Sequence, residues 1–362
     1  MRILFFGSYD TGIHPRVAVL VEGIRAYFDD VTECNVPLGL STQERVSMVS
    51  SAVNLPRLAG RILSVWGRLL GKAMKTPRPD VVIVGYLGHF DVLLARLRFP
   101  RALIALDYLI SGASTAADRG VGSTAIRRML GALDRLALAA ADLIIVDTPA
   151  QRDRLPAAAV PRAVVVPVGA TGSWFRQPPP GASARLSVVF YGLFTPLQGT
   201  VTIGQALASL ANDPIDVTMI GTGQDYEACR LAAEANTNVK WIDWAPGDDL
   251  PEIVRNHEVC LGIFGTSSKA QRVVPTKAFQ GAAAGCVVVT SDTPVQRETL
   301  GDAARFVQPG HPEDLARALR GLAEGEDVAP SRQQAYGWAD QRFRPATVVE
   351  SLVERLSTEV AA

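Results

Sequence analysis

Apolar residues in this chain fall in short unbroken runs, each followed by a stretch in which they recur every three or four positions. Strands buried on both faces read as continuous apolar runs, and amphipathic helices read with the longer period. Runs at residues 2–6, 31–36, 81–85, 102–106, 143–146 and 163–167 predict six strands. Helical patterns at 15–28, 56–75, 90–97 and 123–140 lie between them. From 169 to 184 the pattern yields to GATGSWFRQPPPGASA, whose Gly, Ser and three prolines predict an interdomain linker. A second alternating series predicts strands at 186–191, 217–220, 239–242, 259–264, 287–290 and 305–307. The fold class expected is therefore α/β, with two Rossmann-like doubly wound domains, 1–170 and 171–339. A cleft is expected where the carboxyl ends of the two sheets converge.

The segment GIFGTSSKAQRVVPTKAFQGAAAGCVVVTSD, residues 262–292, carries the most chemistry. An apolar run breaks into a Gly/Ser/Thr loop, then Pro275, a short amphipathic pattern, a small-residue turn and a second apolar run. This is a βαβ unit, and Pro275 suits a first helical turn because its missing N–H would be unpaired there. The loop would present free backbone N–H groups, Arg272 and Lys277 to an anion at the helix start. Cations at a helix N-terminus oppose the dipole by about 0.3–1 kcal/mol unless an anion is present. Gly192 and Gly199, and again Gly221 and Gly223, mark turns after strands where backbone can approach a pyrophosphate. Plain βα turns also favour glycine, so these loops alone leave both readings open.

Composition narrows the class. Hydrophobic residues make up 48% and charged residues 20% of 362, ordinary for a globular α/β protein. Net charge is zero but unevenly spread: residues 1–170 hold 20 Lys+Arg against 14 Asp+Glu, and 171–362 hold 16 against 22. A basic first half points to an anionic partner there. Between Glu44 and Asp80 no acid occurs, while Arg45, Arg57, Arg61, Arg68, Lys72, Lys75 and Arg78 do. Apolar residues and Trp66 interleave with these cations at helical spacing. Peripheral contact of the 45–78 region with anionic membrane is one reading, and a sheet-covering helix with a solvated basic face is the other. Nucleic acid is not expected, since no aromatic platform accompanies the charges. No window of 18 uncharged apolar residues exists. Met1 runs into the strand-like RILFFG without a cleavage site, and Cys34, Cys229, Cys260 and Cys286 lack C-x-x-C spacing. Reduced, buried thiols in a cytoplasmic protein are expected, with the inner membrane face as the site of any peripheral contact.

Taken in order, the tandem halves, YGLFTPLQG at 191–199, IGTGQ at 220–224 and PTKAFQGAAAG at 275–285 resemble GT-B glycosyltransferases of family 4. A subgroup with a V-P-x-K-x-[FY] block in the donor domain is most similar. The resemblance spans essentially the whole chain and implies a C-terminal helix, within 340–362, that crosses back to the first domain. It also implies a retaining hexosyltransferase that moves sugar from a UDP-, GDP- or dTDP-sugar to a hydroxyl acceptor, small or lipid-linked. No metal and no cofactor beyond the donor are expected, since helix dipoles, Arg272 and Lys277 can carry the leaving diphosphate. Donor-side residues would be Gly192, Gln198, Gly221, Gly223, Gln224, Arg272, Pro275, Thr276, Lys277 and Gln280. Gln280 stands where the family usually has a ribose-contacting glutamate, and Arg272 where the first of its glutamate pair stands. These departures leave two alternatives: an epimerase or pseudo-glycosyltransferase on the same fold, and a non-catalytic sugar-nucleotide-binding partner.

On the acceptor side, GSYDTGIHPRV at 7–17 places Gly12, His14 and Arg16 after the first strand. Asp107 ends an apolar strand, where burying a carboxylate without a partner is costly. The family often has a sugar-contacting histidine there, so the resemblance implies Asp107 as a catalytic candidate, and His14, expected with Arg16 at the cleft mouth, is the other. Asp107 capping the next helix or pairing with Arg119 is the alternative. His89, Ser111 and Arg119 complete the acceptor-side expectations.

Overall fold

The computed structural model describes residues 1–12, 14–39, 55–109, 111, 124–179, 184–324 and 328–361. The chain divides into two compact units, one of residues 1–168 with 345–362, the other of residues 169–344.

In unit 1 the strands are β1 (Ile3–Gly7), β2 (Val31–Asn35), β3 (Val81–Val84), β4 (Leu103–Asp107), β5 (Leu143–Val146) and β6 (Ala163–Val165). They form one parallel sheet in the order β2-β1-β3-β4-β5-β6. Side chains of alternate residues divide between two cores. Leu4, Phe6, Val82, Val84, Ile104 and Leu106 face the helices α2 (Leu55–Ala73), α3 (Asp91–Arg98) and α4 (Thr124–Ala140). Ile3, Phe5, Val81, Ile83, Ala105 and Ile145 face α1 (Pro15–Arg25) and the C-terminal segment. Apolar burial on both faces is why the strands read as unbroken apolar runs. Pro15 opens α1 where its missing N–H costs nothing. Short α5 (Pro149–Arg152) is capped by Thr148, whose Oγ1 accepts from Gln151 N at 3.2 Å.

Unit 2 carries β7 (Leu186–Tyr191), β8 (Ile215–Ile220), β9 (Val239–Ile242), β10 (Val259–Leu261), β11 (Val287–Ser291) and β12 (Ala304–Val307). Its parallel sheet has the order β12-β11-β10-β7-β8-β9. The strand order reverses between β7 and β10, and ligands in such sheets bind outside the strand carboxyl ends at that point. The helices are α6 (Thr200–Ser209), α7 (Tyr226–Ala232), α8 (Leu250–Arg255), α9 (Thr276–Ala283), α10 (Pro294–Leu300), α11 (Pro312–Glu324) and α12 (Val328–Arg342). The expected strand at 259–264 stops at Leu261, because Gly262 to Gly265 turn away into the loop. The expected boundary at 339/340 falls inside α12, which stays with unit 2. Unit 1 regains the chain at α13 (Pro345–Val348) and α14 (Glu350–Ala361), whose Val348, Leu352 and Leu356 are buried in its core. All four cysteines are buried and free.

Candidate functional site

The unit 2 site assembles at the switch point, from the turn after β7, the loop after β10 and the start of α9. Gly192, at φ 131°, continues the sheet edge by donating its N–H to Ile220 O at 3.0 Å. Gly221, at φ 122°, donates to Ile242 O at 2.8 Å and lies flat against Gly192: a Cβ there would come 2.0 Å from Gly192 O. Gly221 is thus needed for close approach of the two turns, and Gly192 for its positive φ. Their N–H groups are committed to the ladder, which corrects the expectation that they face a phosphate. The turn's N–H groups with no hydrogen bond among the described residues belong to Leu193, Thr195 and Leu197. Gly223 packs on Phe194 in the same way, and the exposed Gln224 beside it bonds Asp225.

Lys277 is the centre of the arrangement. It is 6% exposed, and its Nζ donates to Gln198 Oε1 at 2.7 Å and sits 3.6 Å from the centroid of the Phe190 ring. A Cβ on Gly192 would lie 3.4 Å from this Nζ, so the ammonium lies directly against the turn. No carboxylate pairs with it among the described residues, and burial pushes its pKa down from 10.5 to about 7. Gln198 is fixed in turn by Phe264 N, which donates to its carbonyl at 2.9 Å. Pro275 proves to be the residue before α9 and not its first residue; no side chain caps the helix and no acid sits in its first turn. Thr276 opens α9, half-buried. Arg272 ends a single 3-10 turn just ahead of it, half-buried, with no side-chain hydrogen bond or ion pair among the described residues. A neutral carbonyl and an aromatic face hold a lysine in place, and an anion would complete its charge.

Gln280 departs from expectation. It is buried, and its Oε1 accepts from the Tyr191 hydroxyl at 2.9 Å, so the side chain serves the interior and is not presented to a ribose. Tyr191 in turn stacks on Trp174, with ring centroids 5.9 Å apart. Phe190 and Tyr191 were missed as site residues, although they immediately precede Gly192 and an aromatic pair before a glycine turn was visible.

The acceptor-side candidates of unit 1 are mostly interior. Asp107 is 1% exposed, with Oδ1 3.4 Å from Arg16 Nε, while Arg16 is equally buried and also donates to Pro167 O. Burial outweighs Arg16 and raises the Asp107 pKa. Nearby Asp147 is pushed up from 3.8 to about 6 by burial, against the pull of Arg16 and with repulsion from Asp107. This arrangement corrects the expectation of Asp107 as an accessible reactive group, while its alternative pairing with Arg119 falls outside the described residues. The strand-end carboxylate is instead matched by a guanidinium from the first turn of α1. His14 is buried edge-on against Tyr86, with ring centroids 4.7 Å apart. His89 is also buried, its Nε2 3.2 Å from Asp134 Oδ1, and Ser111 donates to Asp134 Oδ2 at 2.6 Å. Gly12 lies in an exposed turn, donating to Asp10 at 3.0 Å, and Arg119 lies outside the described residues.

Residues 185–325 match the family model Glycosyl transferases group 1. That stretch contains every residue of the unit 2 candidate site except Trp174. Among solved structures, a sucrose-phosphate synthase from Thermosynechococcus elongatus is similar at TM-score 0.73 and 14% identity, covering 100% of this chain and 99% of that one. HepE of Anabaena, in complex with UDP-glucose, is similar at TM-score 0.68 and 15% identity, covering 99% and 100%. A glycosyltransferase from Rickettsia africae gives 0.64 and 11%, covering 99% and 98%. No curated protein matches the chain. The fold is GT-B, built from two Rossmann-like α/β domains of six parallel strands each. Within that glycosyltransferase fold, Gly192, Lys277 and the α9 N-terminus stand at the switch point of the second domain.

Proposed function

We propose that this chain is a glycosyltransferase that holds a nucleoside-diphosphate sugar on unit 2 and moves the sugar to a hydroxyl acceptor served by unit 1. The observation that carries this reading is Lys277, a buried amine beside the Gly192 turn with a glutamine and an aromatic ring as partners and no carboxylate. An anion bound there would restore its full charge. Arg272 and the N–H groups at the start of α9 would share the negative charge that grows on the leaving diphosphate. The leaving group is thus stabilised without a metal or any cofactor beyond the donor.

The donor we favour is a UDP-sugar, because HepE, similar in fold, is described with UDP-glucose. We further propose transfer with retention of configuration. With Asp107 tied to Arg16, a same-face reaction in which the departing phosphate accepts the acceptor's proton fits better than a side-chain base. A non-catalytic sugar-nucleotide-binding role is the second reading, favoured by that same burial of Asp107. Thermal shifts with UDP-, GDP- and dTDP-glucose, followed by assay of nucleoside diphosphate release with hydroxyl acceptors, separate the two. Stabilisation by none of the three sinks both readings, and stabilisation without release supports the second.

A further inference from the structure

Helices α2, α3 and α4 lie side by side over one face of the first sheet, and each turns a pair of large apolar side chains away from it. The pairs are Leu63 and Leu70, Phe90 and Leu97, Met129 and Leu136, between 36% and 79% exposed. In every pair the spacing is seven residues, two helical turns, so each pair forms one outward stripe. The inward positions of the same helices, Val65 and Leu69, Val92 and Ala95, Ala137 and Leu138, are buried. Met74, just past α2, extends the first stripe. With it, seven of the thirteen exposed large hydrophobics of the described chain lie on this one layer, too concentrated for scattered surface apolars.

Charge on the layer is one-sided. Residues 55–78, 90–101 and 124–140 hold twelve Lys and Arg, and their two acids, Asp91 and Asp134, are both buried. Arg61, Lys72 and Arg98 bond backbone carbonyls and Arg96 pairs with Asp142. Arg68 and Lys75 are exposed and make no side-chain bond among the described residues. An apolar layer rimmed by uncompensated cations fits a surface that is apolar inside and anionic at its edge. A second copy of the same face would meet it with like charge, and among the described residues of this layer a nucleic acid would find only Phe90 as an exposed ring to stack on.

We propose that this three-helix face docks on an anionic lipid bilayer, the Leu, Phe and Met pairs entering the headgroup layer and the cations lying over lipid phosphates. Membrane binding of this kind scales with buried apolar area and anionic charge together. It does not depend on the donor site, so it can fail or hold independently of the glycosyltransferase reading.

Co-sedimentation of the full chain with vesicles tests it, using phosphatidylcholine mixed with phosphatidylglycerol and phosphatidylcholine alone. Binding is expected to the mixed vesicles, weakening with added salt. Each cation removed should reduce partitioning about fivefold, so the double variant Arg68→Gln with Lys75→Gln should bind about 25-fold more weakly. Leu63→Ser with Leu97→Ser should weaken binding at every salt concentration. A urea unfolding midpoint close to that of wild type shows that each variant is folded. The proposal is overturned by absence from the mixed-vesicle pellet, by equal binding to both vesicles, or by self-association through this face in place of lipid binding.

Discussion

Replacing Lys277 with methionine separates binding from stability in a way few substitutions can. The side chain is nearly the same length and keeps its place against Phe190, but the amine is gone. In the free protein the fall in pKa from 10.5 to about 7 corresponds to about 5 kcal/mol against the charged form. Structural relaxation and water entry reduce this to about 2–4 kcal/mol in practice. The penalty is complete below pH 7 and recedes as pH rises from 7 towards 10.5, since the folded state prefers the neutral amine. Lys277→Met should therefore be more stable than wild type by about 2–4 kcal/mol at pH 7 in urea unfolding, with the gap closing by pH 10. UDP affinity should move the other way. Loss of a charged hydrogen bond costs about 1.5–3 kcal/mol, or about 10–150-fold in Kd, measured by titration calorimetry. Because the free lysine is half-neutral near pH 7, wild-type binding should take up protons and weaken by up to about tenfold per pH unit above 7. The variant should show neither effect. Equal UDP affinity in the two proteins, with no proton uptake in either, would refute the reasoning.

Arg272→Ala should lower UDP affinity by about 1.5–3 kcal/mol while leaving unfolding within about 0.5 kcal/mol of wild type, since its side chain holds no described contact. Calorimetry and urea melts read the two quantities. Gly221→Ala should destabilise unit 2 by about 2–4 kcal/mol, because the new Cβ meets Gly192 O and the backbone sits at positive φ; a melt within about 0.5 kcal/mol of wild type would show the turns are not tightly stacked. Asp147 has its pKa raised from 3.8 to about 6, so its cost to stability grows as pH climbs through that window. Asp147→Asn should then be more stable by up to about 3 kcal/mol above pH 6 and equal to wild type below pH 4. Asp107→Asn should alter stability and change turnover by less than about tenfold, and a loss of 10²-fold or more would restore a chemical role to Asp107.

All twelve strands were legible in the chain, because burial on both faces leaves apolar runs with few ambiguous ends. Only the short strand before Gly262 misled, since Ile263 and Phe264 are as apolar as a strand but are buried by a loop. The Gly192, Gly221 and Lys277 cluster was also legible, being carried by local turns and one helix start. What could not be read was partnership across long separations. Arg16 meets Asp107 91 positions away, and Tyr191 meets Gln280 89 positions away. Each of these pairings turned a residue that looked reactive into one that serves the interior. The direction of backbone N–H groups was equally hidden, so Gly192 looked like an anion ligand when its amide already belongs to the sheet.

The central claim is that a nucleoside diphosphate sits on unit 2 between the Gly192 turn and the start of α9. The most direct measurement is a crystal structure of the full chain with UDP. A β-phosphate oxygen should lie about 3 Å from Lys277 Nζ, with Arg272 and the Leu193 or Thr195 amide also in reach. UDP bound elsewhere, with Lys277 still held by Gln198 alone, would contradict the account.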